Sequence, residues 1–175
     1  MHIESYINEI ITFFECKLIQ SKNMIFFKKY RFLKQLNSIP QNYPFKIRFQ
    51  IIDLKIENWF GTFTPFNNLI TIYIPKEINN FDVHKATLID ILAHEIRHFY
   101  QKKIFLISKN KKFEDFYIKS LKKGYFNNHF EIDAYAYGFS LSKISKDKQK
   151  IITKNMTIKS RNKLYKKLYK FSNNC

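Results

Sequence analysis

The chain has 175 residues, of which 45% are hydrophobic and 18% aromatic, and this composition excludes an intrinsically disordered protein. Its length predicts a single domain, residues 1–175, that buries a hydrophobic core. The net charge of +17 indicates affinity for polyanions, or else reflects the Lys- and Asn-rich products of AT-rich codons. Cys16 and Cys175 do not make a disulfide framework. Because we find no signal peptide and no apolar run of about 18 residues, we expect a cytoplasmic protein without a membrane span.

Two helices are predicted at the start of the chain. Apolar residues recur at helical spacing between Ile3 and Ile19, and a second helix is expected over Met24–Leu36. The segment Asn37–Pro44, "NSIPQNYP", then ends the helical pattern with two prolines. Residues 1–37 are therefore interpreted as a helical flank of the domain.

A small sheet is predicted next. Phe45–Ile51, "FKIRFQI", alternates apolar and polar residues with a period of two, which is typical of a strand. Leu69–Ile74 also predicts a strand. Gly61 and Pro65 indicate that Phe60–Thr64 is an irregular or edge segment.

Four helices are predicted in the rest of the chain. The first runs from Val83 to about Lys102 with Asp82 as its N-cap, and a short one covers Phe113–Lys122. A third covers His129–Lys143, and a basic helix covers Ile151–Phe171. We therefore predict an α+β fold with a core over about residues 45–143 and helical flanks at residues 1–37 and 146–171. The basic helix places three apolar residues on one face: Leu164, Leu168 and Phe171.

The stretch Ile91–Gln101, "ILAHEIRHFYQ", contains an H-E-x-x-H motif inside the first of these helices. His94 and His98 are four residues apart, so they lie on one helix face with their Cβ atoms about 5–6 Å apart. That spacing lets both imidazoles bind one Zn²⁺ ion at about 2.0–2.1 Å. Glu95 lies beside the metal, where it can accept a proton from zinc-bound water. The motif therefore predicts a catalytic zinc site.

A catalytic zinc ion needs a third protein ligand and one open position. We expect Glu131 to be this ligand, because a carboxylate on a second helix facing the first completes a His₂Glu site. Alternatively, Glu131 is the capping-box partner of an N-cap at Asn128, and His129 is the ligand. Asp133 either orients a histidine or is a solvated acid. The candidates for the third ligand are Glu114, Asp115, His129, Glu131 and Asp133.

The segments "HEIRHFYQ" and "EIDAYAYG" together resemble the gluzincin metallopeptidases, in particular the minimal ones and the peptidase-like domains found near phage-type regulators. In that group the third ligand is a glutamate in an E-x-x-A segment on a helix, which Glu131 and Ala134 match. Several such families have an aspartate after the alanine, where this chain has Tyr135. The resemblance implies a zincin-like fold in which a small mixed sheet places an edge strand over the active-site helix.

The resemblance extends to the strands and spans about Ile47–Ser142. "WFGTFTPFNNLITIYIP" is similar to the edge strand and preceding sheet of these domains. It implies that a protein or peptide substrate binds by strand addition, and we place that peptide along Leu69–Ile74. We expect Arg97 to contact a neighbouring acid, because a second cation would weaken zinc binding. The family also implies an oxyanion-stabilising residue, with four candidates: Tyr125, His129, Tyr135 and Tyr137.

The function predicted from the sequence is a zinc-dependent metallopeptidase in which Glu95 is the general base. The alternative is a basic nucleic-acid- or protein-binding module that keeps a zincin fold without proteolysis. The Ile151–Phe171 helix interleaves Lys with Tyr and Leu, so it either contacts phosphates and stacks on bases or is a solvated face. A metal site without peptidase activity is a third interpretation, which the intact Glu95 disfavours.

Overall fold

The computed structural model describes residues 6–12, 44–52, 60–75, 81–109, 113–122 and 124–173. These residues form a mixed α and β fold that is mostly helical and contains one small three-stranded sheet. Residues 6–12 are helical and are called α1, within the helix predicted over Ile3–Ile19. The helix predicted over Met24–Leu36 lies outside the described residues. Within the described part of the chain, no helix is both long and apolar enough to cross a membrane.

The sheet consists of β1 (Lys46–Ile52), β2 (Phe60–Thr64) and β3 (Leu69–Pro75), in the order β1-β3-β2. β1 is parallel to β3, and β2 is antiparallel to β3. Because β3 is hydrogen-bonded on both sides, the prediction that a peptide pairs along Leu69–Ile74 is wrong. Among the described strands β2 is an edge, as predicted for Phe60–Thr64.

One face of the sheet is apolar because β1 and β3 alternate with a period of two. Ile47 is in register with Ile70, and Phe49 with Ile72, and all four side chains are buried. The same hydrophobic core includes buried residues of α1 and of the long helix that follows the sheet: Ile7, Ile10, Leu88, Leu92 and Ile96.

Helix α2 (Phe81–Lys109) has 29 residues and is longer than predicted at both ends. It begins at Phe81, so Asp82 lies in its first turn and is not an N-cap, and it continues past Lys102 to Lys109. The side chain of Lys102 donates hydrogen bonds to the Pro65 carbonyl and, at 2.8 Å, to Asn68 Oδ1. These bonds attach the connection between β2 and β3 to α2.

Helices α3 (Phe113–Leu121) and α4 (His129–Ser142) agree with the predicted elements. Asn128 is the N-cap of α4, because its side chain accepts a hydrogen bond of 2.9 Å from the Phe130 N–H. α4 packs along α2, and Gly138 allows the close approach. A Cβ atom at Gly138 would lie 2.5 Å from Asp90 Oδ1 on α2.

The C-terminal region contains two helices, α5 (Lys146–Thr153) and α6 (Ile158–Ser172). The prediction of one helix over Ile151–Phe171 is therefore wrong. The break occurs because Thr157 starts a new helix, with its side chain accepting a hydrogen bond of 3.2 Å from the Ser160 N–H. The predicted apolar face of α6 does pack inward, with Leu164 fully buried beside α4.

Candidate metal centre

The structure brings His94, His98 and Glu131 together in the interior between α2 and α4. The histidines lie one turn apart on α2, and Glu131 lies in the first turn of α4. His94 Nε2 is 3.1 Å from Glu131 Oε2, and His98 Nε2 is 3.3 Å from Glu131 Oε1. The two Nε2 atoms are 3.1 Å apart. All three residues are buried, and one ligand atom from each lies within 4.8 Å of the others.

These distances fit a tetrahedral zinc site. Ligand atoms about 2.0–2.1 Å from a tetrahedral Zn²⁺ ion are about 3.3 Å from one another. The two Nε2 atoms are 3.1 Å apart, and they lie 3.1 and 3.3 Å from the two different oxygens of the Glu131 carboxylate. Two imidazoles and a carboxylate are also a donor set that zinc binds in catalytic sites. The residues present therefore fit the metal that the motif implies.

The charges within the cluster favour cation binding. Burial opposes ionisation of Glu131, but its hydrogen bonds with His94 and His98 hold its pKa well below the usual range. Burial would lower the pKa of His98, but contact with Glu131 overcomes this and raises the pKa to about 9. In the metal-free protein a proton on His98 balances the carboxylate. A metal ion must displace that proton to bind.

Glu131 does not form a capping box with Asn128. The backbone N–H of Asn128 donates to the Tyr125 carbonyl at 3.2 Å, which leaves no free donor for the Glu131 side chain at this position. The carboxylate instead faces the two histidines and accepts a hydrogen bond from the hydroxyl of Tyr117. Asn128 caps the helix while Glu131 points into the cluster.

Glu95 is buried beside the cluster, beneath strand β2. The N–H of Phe63 donates a hydrogen bond to its carboxylate, and burial raises its pKa above the ordinary value. Gly61 lies directly against it, because a Cβ atom there would be 2.7 Å from Glu95 Cγ and 3.0 Å from Glu95 Oε1. Glu95, His98 and Glu131 line a cleft of about 180 Å³ whose wall includes Gly61 and Phe63. The cleft therefore reaches two residues of the cluster, and β2 forms part of its wall.

Tyrosines surround the cluster on the α3 and α4 side. Tyr117, which the sequence analysis missed, bonds Glu131, and the ring of Tyr135 lies 4.4 Å from that of His94. Tyr125 lines the cleft. Burial and the Glu131 carboxylate raise the pKa values of Tyr117, Tyr125 and Tyr135, so all three keep their O–H groups at neutral pH. The sequence does place Tyr117 one helical turn after the apolar Phe113, so both rings lie on the same helix face.

Tyr137 is placed away from the cleft. Its ring packs against Phe171 at 5.3 Å, and the Arg97 guanidinium carbon lies 5.4 Å from the ring centre. Of the four residues considered for oxyanion stabilisation, His129 is also exposed and lies outside the cluster. Tyr125 and Tyr135 remain as candidates.

Arg97 contacts an acid, as predicted. Its Nε donates to Asp133 Oδ2 at 2.7 Å, and Lys167 of α6 donates to Asp133 Oδ1. Asp133 does not contact a histidine directly. Gln101 lies between them and contacts both Asp133 and His98. Gln101 was missed by the sequence analysis, although it follows His98 by three residues and so shares its helix face.

The other acidic candidates for the third ligand lie outside the cluster. The Glu114 side chain is one-third exposed and lies 3.9 Å from Lys102, and Asp115 is exposed. A further buried acid, Asp90, lies one turn before His94, and burial raises its pKa to about 7. Within the described residues Asp90 Oδ1 has no hydrogen-bond partner.

No protein-family model, no curated protein and no solved structure matches this chain. The resemblance to gluzincins is therefore carried by the motif residues themselves. The geometry of His94, Glu95, His98 and Glu131 is the basis for the function proposed below.

Proposed function

We propose that the protein is a zinc-dependent metallopeptidase with a zincin-like arrangement of α2, α4 and the edge strand β2. His94, His98 and Glu131 hold Zn²⁺, and Glu95 is the general base. One observation carries the proposal: two histidine nitrogens and a carboxylate lie 3.1 to 3.3 Å from one another, as ligands do around a tetrahedral zinc ion. Two of these residues, His98 and Glu131, line a cleft together with the buried Glu95. A structural site would have no use for a carboxylate beside it, whereas hydrolysis needs one.

Bound zinc lowers the pKa of a water molecule to about 7 and polarises a carbonyl oxygen. Glu95 accepts the proton of the attacking water and passes it to the leaving amine. Its raised pKa suits this role, because a base whose pKa lies closer to neutrality can also return the proton. The hydrogen bond from the Phe63 N–H fixes the orientation of the carboxylate. Tyr125 keeps its O–H group in the cleft wall, where it is hydrogen-bonded with Glu131, and it would exchange that bond for one to an oxyanion.

We place the peptide along β2. The Phe63 N–H bonds Glu95, so it points away from β3. Backbone groups alternate in direction along a strand, so the N–H and C=O of Gly61, two residues earlier, also point away from β3. An extended peptide can pair with Gly61 by strand addition and lie across the cleft. The substrate class is therefore a protein or peptide segment in extended conformation.

The first test is metal content. The protein and its variants His98→Ala, Glu131→Gln and Glu95→Gln are purified, and zinc per chain is measured by elemental mass spectrometry. We expect near-stoichiometric zinc in the parent protein and in Glu95→Gln, and loss of zinc in the other two, because only their changes remove a ligand. A parent protein that binds no zinc even after incubation with zinc salt would refute the proposal.

The second test is hydrolysis. The zinc-loaded protein is incubated with a peptide library, and cleavage products are identified by mass spectrometry. Glu95→Gln is the matched control, since it keeps the metal and removes the base. We expect cleavage by the parent protein and loss of at least about 100-fold in Glu95→Gln. Cleavage that persists in Glu95→Gln contradicts the role of Glu95 and points to a contaminating peptidase.

A second candidate function is polyanion binding by α6, and a specific surface favours it. Tyr165 and Tyr169 are 42% and 71% exposed, and they lie one turn apart beside a row of lysines. The helix contains no acidic residue. Exposed aromatic rings flanked by cations suit single-stranded nucleic acid, with bases on the rings and phosphates on the lysines. The row of lysines consists of Lys159, Lys163, Lys166 and Lys170.

The test compares two double variants with the same change in net charge. One is Lys166→Ala with Lys170→Ala on α6, and the other is Lys103→Ala with Lys119→Ala on exposed positions of α2 and α3. Binding to a single-stranded oligonucleotide is measured against salt. If α6 is the interface, the α6 variant alone lowers the salt slope, by about 0.7 for each phosphate that it no longer neutralises. Equal effects would show attraction by net charge and not an interface on α6.

A further inference from the structure

The side-chain amide of Gln101 links the candidate ligand His98 to a buried ion-pair network. Gln101 Oε1 lies 2.9 Å from His98 Nδ1. Gln101 Nε2 lies 3.0 Å from the Phe130 carbonyl oxygen and 3.0 Å from Asp133 Oδ2. Gln101 and His98 are both buried. Every polar atom of the amide therefore has a partner within hydrogen-bond distance.

The chemistry of these partners fixes which way the amide points. A backbone carbonyl such as that of Phe130 can only accept a hydrogen bond. Asp133 is also an acceptor, because its two carboxylate oxygens form ion pairs with Arg97 and Lys167. The group that faces both acceptors must be the NH₂ of Gln101. Its oxygen is then the atom that faces His98.

An acceptor at this position determines which ring nitrogen of His98 carries the proton. The oxygen of Gln101 requires a donor, so Nδ1 of His98 carries a proton. In the neutral imidazole the other nitrogen, Nε2, then holds the free lone pair. Nε2 is the atom that lies 3.1 Å from His94 Nε2 and 3.3 Å from Glu131 Oε1, at the centre of the cluster.

We propose that Gln101 is a positioning residue that fixes the Nδ1–H tautomer of His98 and so presents Nε2 to the metal. This inference rests on the proposed zinc site. Gln101 does not touch the metal or the substrate, and it acts through His98 alone. Its own orientation is set by Phe130 and Asp133. Asp133 is held in turn by Arg97 and by Lys167 of α6, so the C-terminal helix supports the geometry of a ligand on α2.

The first experiment measures zinc affinity by competition with a chromophoric chelator in Gln101→Met. Methionine has a similar length and no amide, so it removes the acceptor with little change in volume. The matched control is Gln149→Met on α5, where the amide donates only to the Ile144 carbonyl. We expect a loss of about 10- to 100-fold in zinc affinity for Gln101→Met and none for Gln149→Met. Unchanged affinity in Gln101→Met overturns the inference while leaving the proposed zinc site intact.

The second experiment needs no variant and so does not depend on a variant folding. Long-range nitrogen–proton correlation spectra of the zinc-loaded parent protein, labelled with ¹⁵N at histidine, report the state of each ring nitrogen. We expect His98 to show a protonated Nδ1 and a metal-bound Nε2. A proton on Nε2, or zinc on Nδ1, overturns the inference. A parent protein that binds no zinc overturns both this inference and the proposed function, which distinguishes that failure from the others.

Discussion

Replacing Gly61 by alanine tests whether β2 lies directly on the candidate catalytic residue. A Cβ atom at this position would be 2.6 Å from Ile91 Cγ2 and 2.7 Å from Glu95 Cγ. Carbon atoms in contact prefer about 3.5–4.0 Å, so the strand or the Glu95 side chain must shift by about 1 Å. Overpacking of this kind costs about 1–3 kcal/mol in unfolding free energy. For a protein of this size that corresponds to a decrease in Tm of about 2–12 °C.

We expect the Glu95 side chain to move, because two of the three atoms nearest the added Cβ belong to it and none belongs to a candidate zinc ligand. Gly61→Ala should therefore keep its zinc while losing hydrolytic activity, in addition to the fall in Tm. The assays are zinc per chain, thermal unfolding by circular dichroism, and peptide cleavage. Thr64→Ala is the matched control on the same strand, since the Thr64 side chain is exposed, does not line the cleft, and loses atoms in the change. A Gly61→Ala protein with unchanged Tm and unchanged activity would refute the placement of β2 against Glu95.

Three further predictions concern buried groups around the cluster. Asp90→Asn should stabilise the metal-free protein at pH 8 by up to about 4 kcal/mol and have little effect at pH 4, as thermal unfolding would show. Because burial raises the pKa of Asp90 from 3.8 to about 7, the parent protein loses stability as the pH rises from 3.8 through 7. An Asp90→Asn protein that is no more stable than the parent at pH 8 would contradict this. Zinc affinity should fall about 10-fold for each pH unit below 9, because His98 must release a proton before it binds the metal. A zinc affinity, measured by chelator competition, that does not change with pH would disprove this. Tyr117→Phe should weaken zinc binding by about 10-fold without unfolding the protein, whereas a variant with full affinity would show that the bond to Glu131 is unimportant.

The part of the site that lies on one helix could be predicted from the sequence because its geometry is local. His94 and His98 are four residues apart, and helical periodicity alone puts them on one face. Glu131 required a further step, since it is 37 residues from His94 and reaches it only when α4 packs on α2. The position of α4, which the local pattern does not encode, directs the Glu131 side chain to the histidines and not to a capping box. The resemblance to gluzincins favoured the same residue.

What the sequence could not provide was the packing between elements. Tyr117 and Gln101 look like ordinary helix residues until α3 and α4 are placed around α2. The strand Leu69–Ile74 was predicted, but the peptide was wrongly placed along it, because strand order depends on the pairing of distant segments. The helix over Ile151–Phe171 was joined across a break because residues 154–157 carry no glycine or proline.

The ion pair between Lys167 and Asp133 gives the site an order of assembly during synthesis. Arg97 and both histidines are made before Asp133, but Lys167 is made 34 residues after it. At about 5–20 residues per second this delay is about 2–7 s. During that interval the chain already contains His94, His98 and Glu131, while Asp133 has only one of its two cations. Translation of α6 is therefore the last step that the ion-pair network of Asp133 requires, and a chain that ended before Lys167 would leave this carboxylate with Arg97 as its only cation.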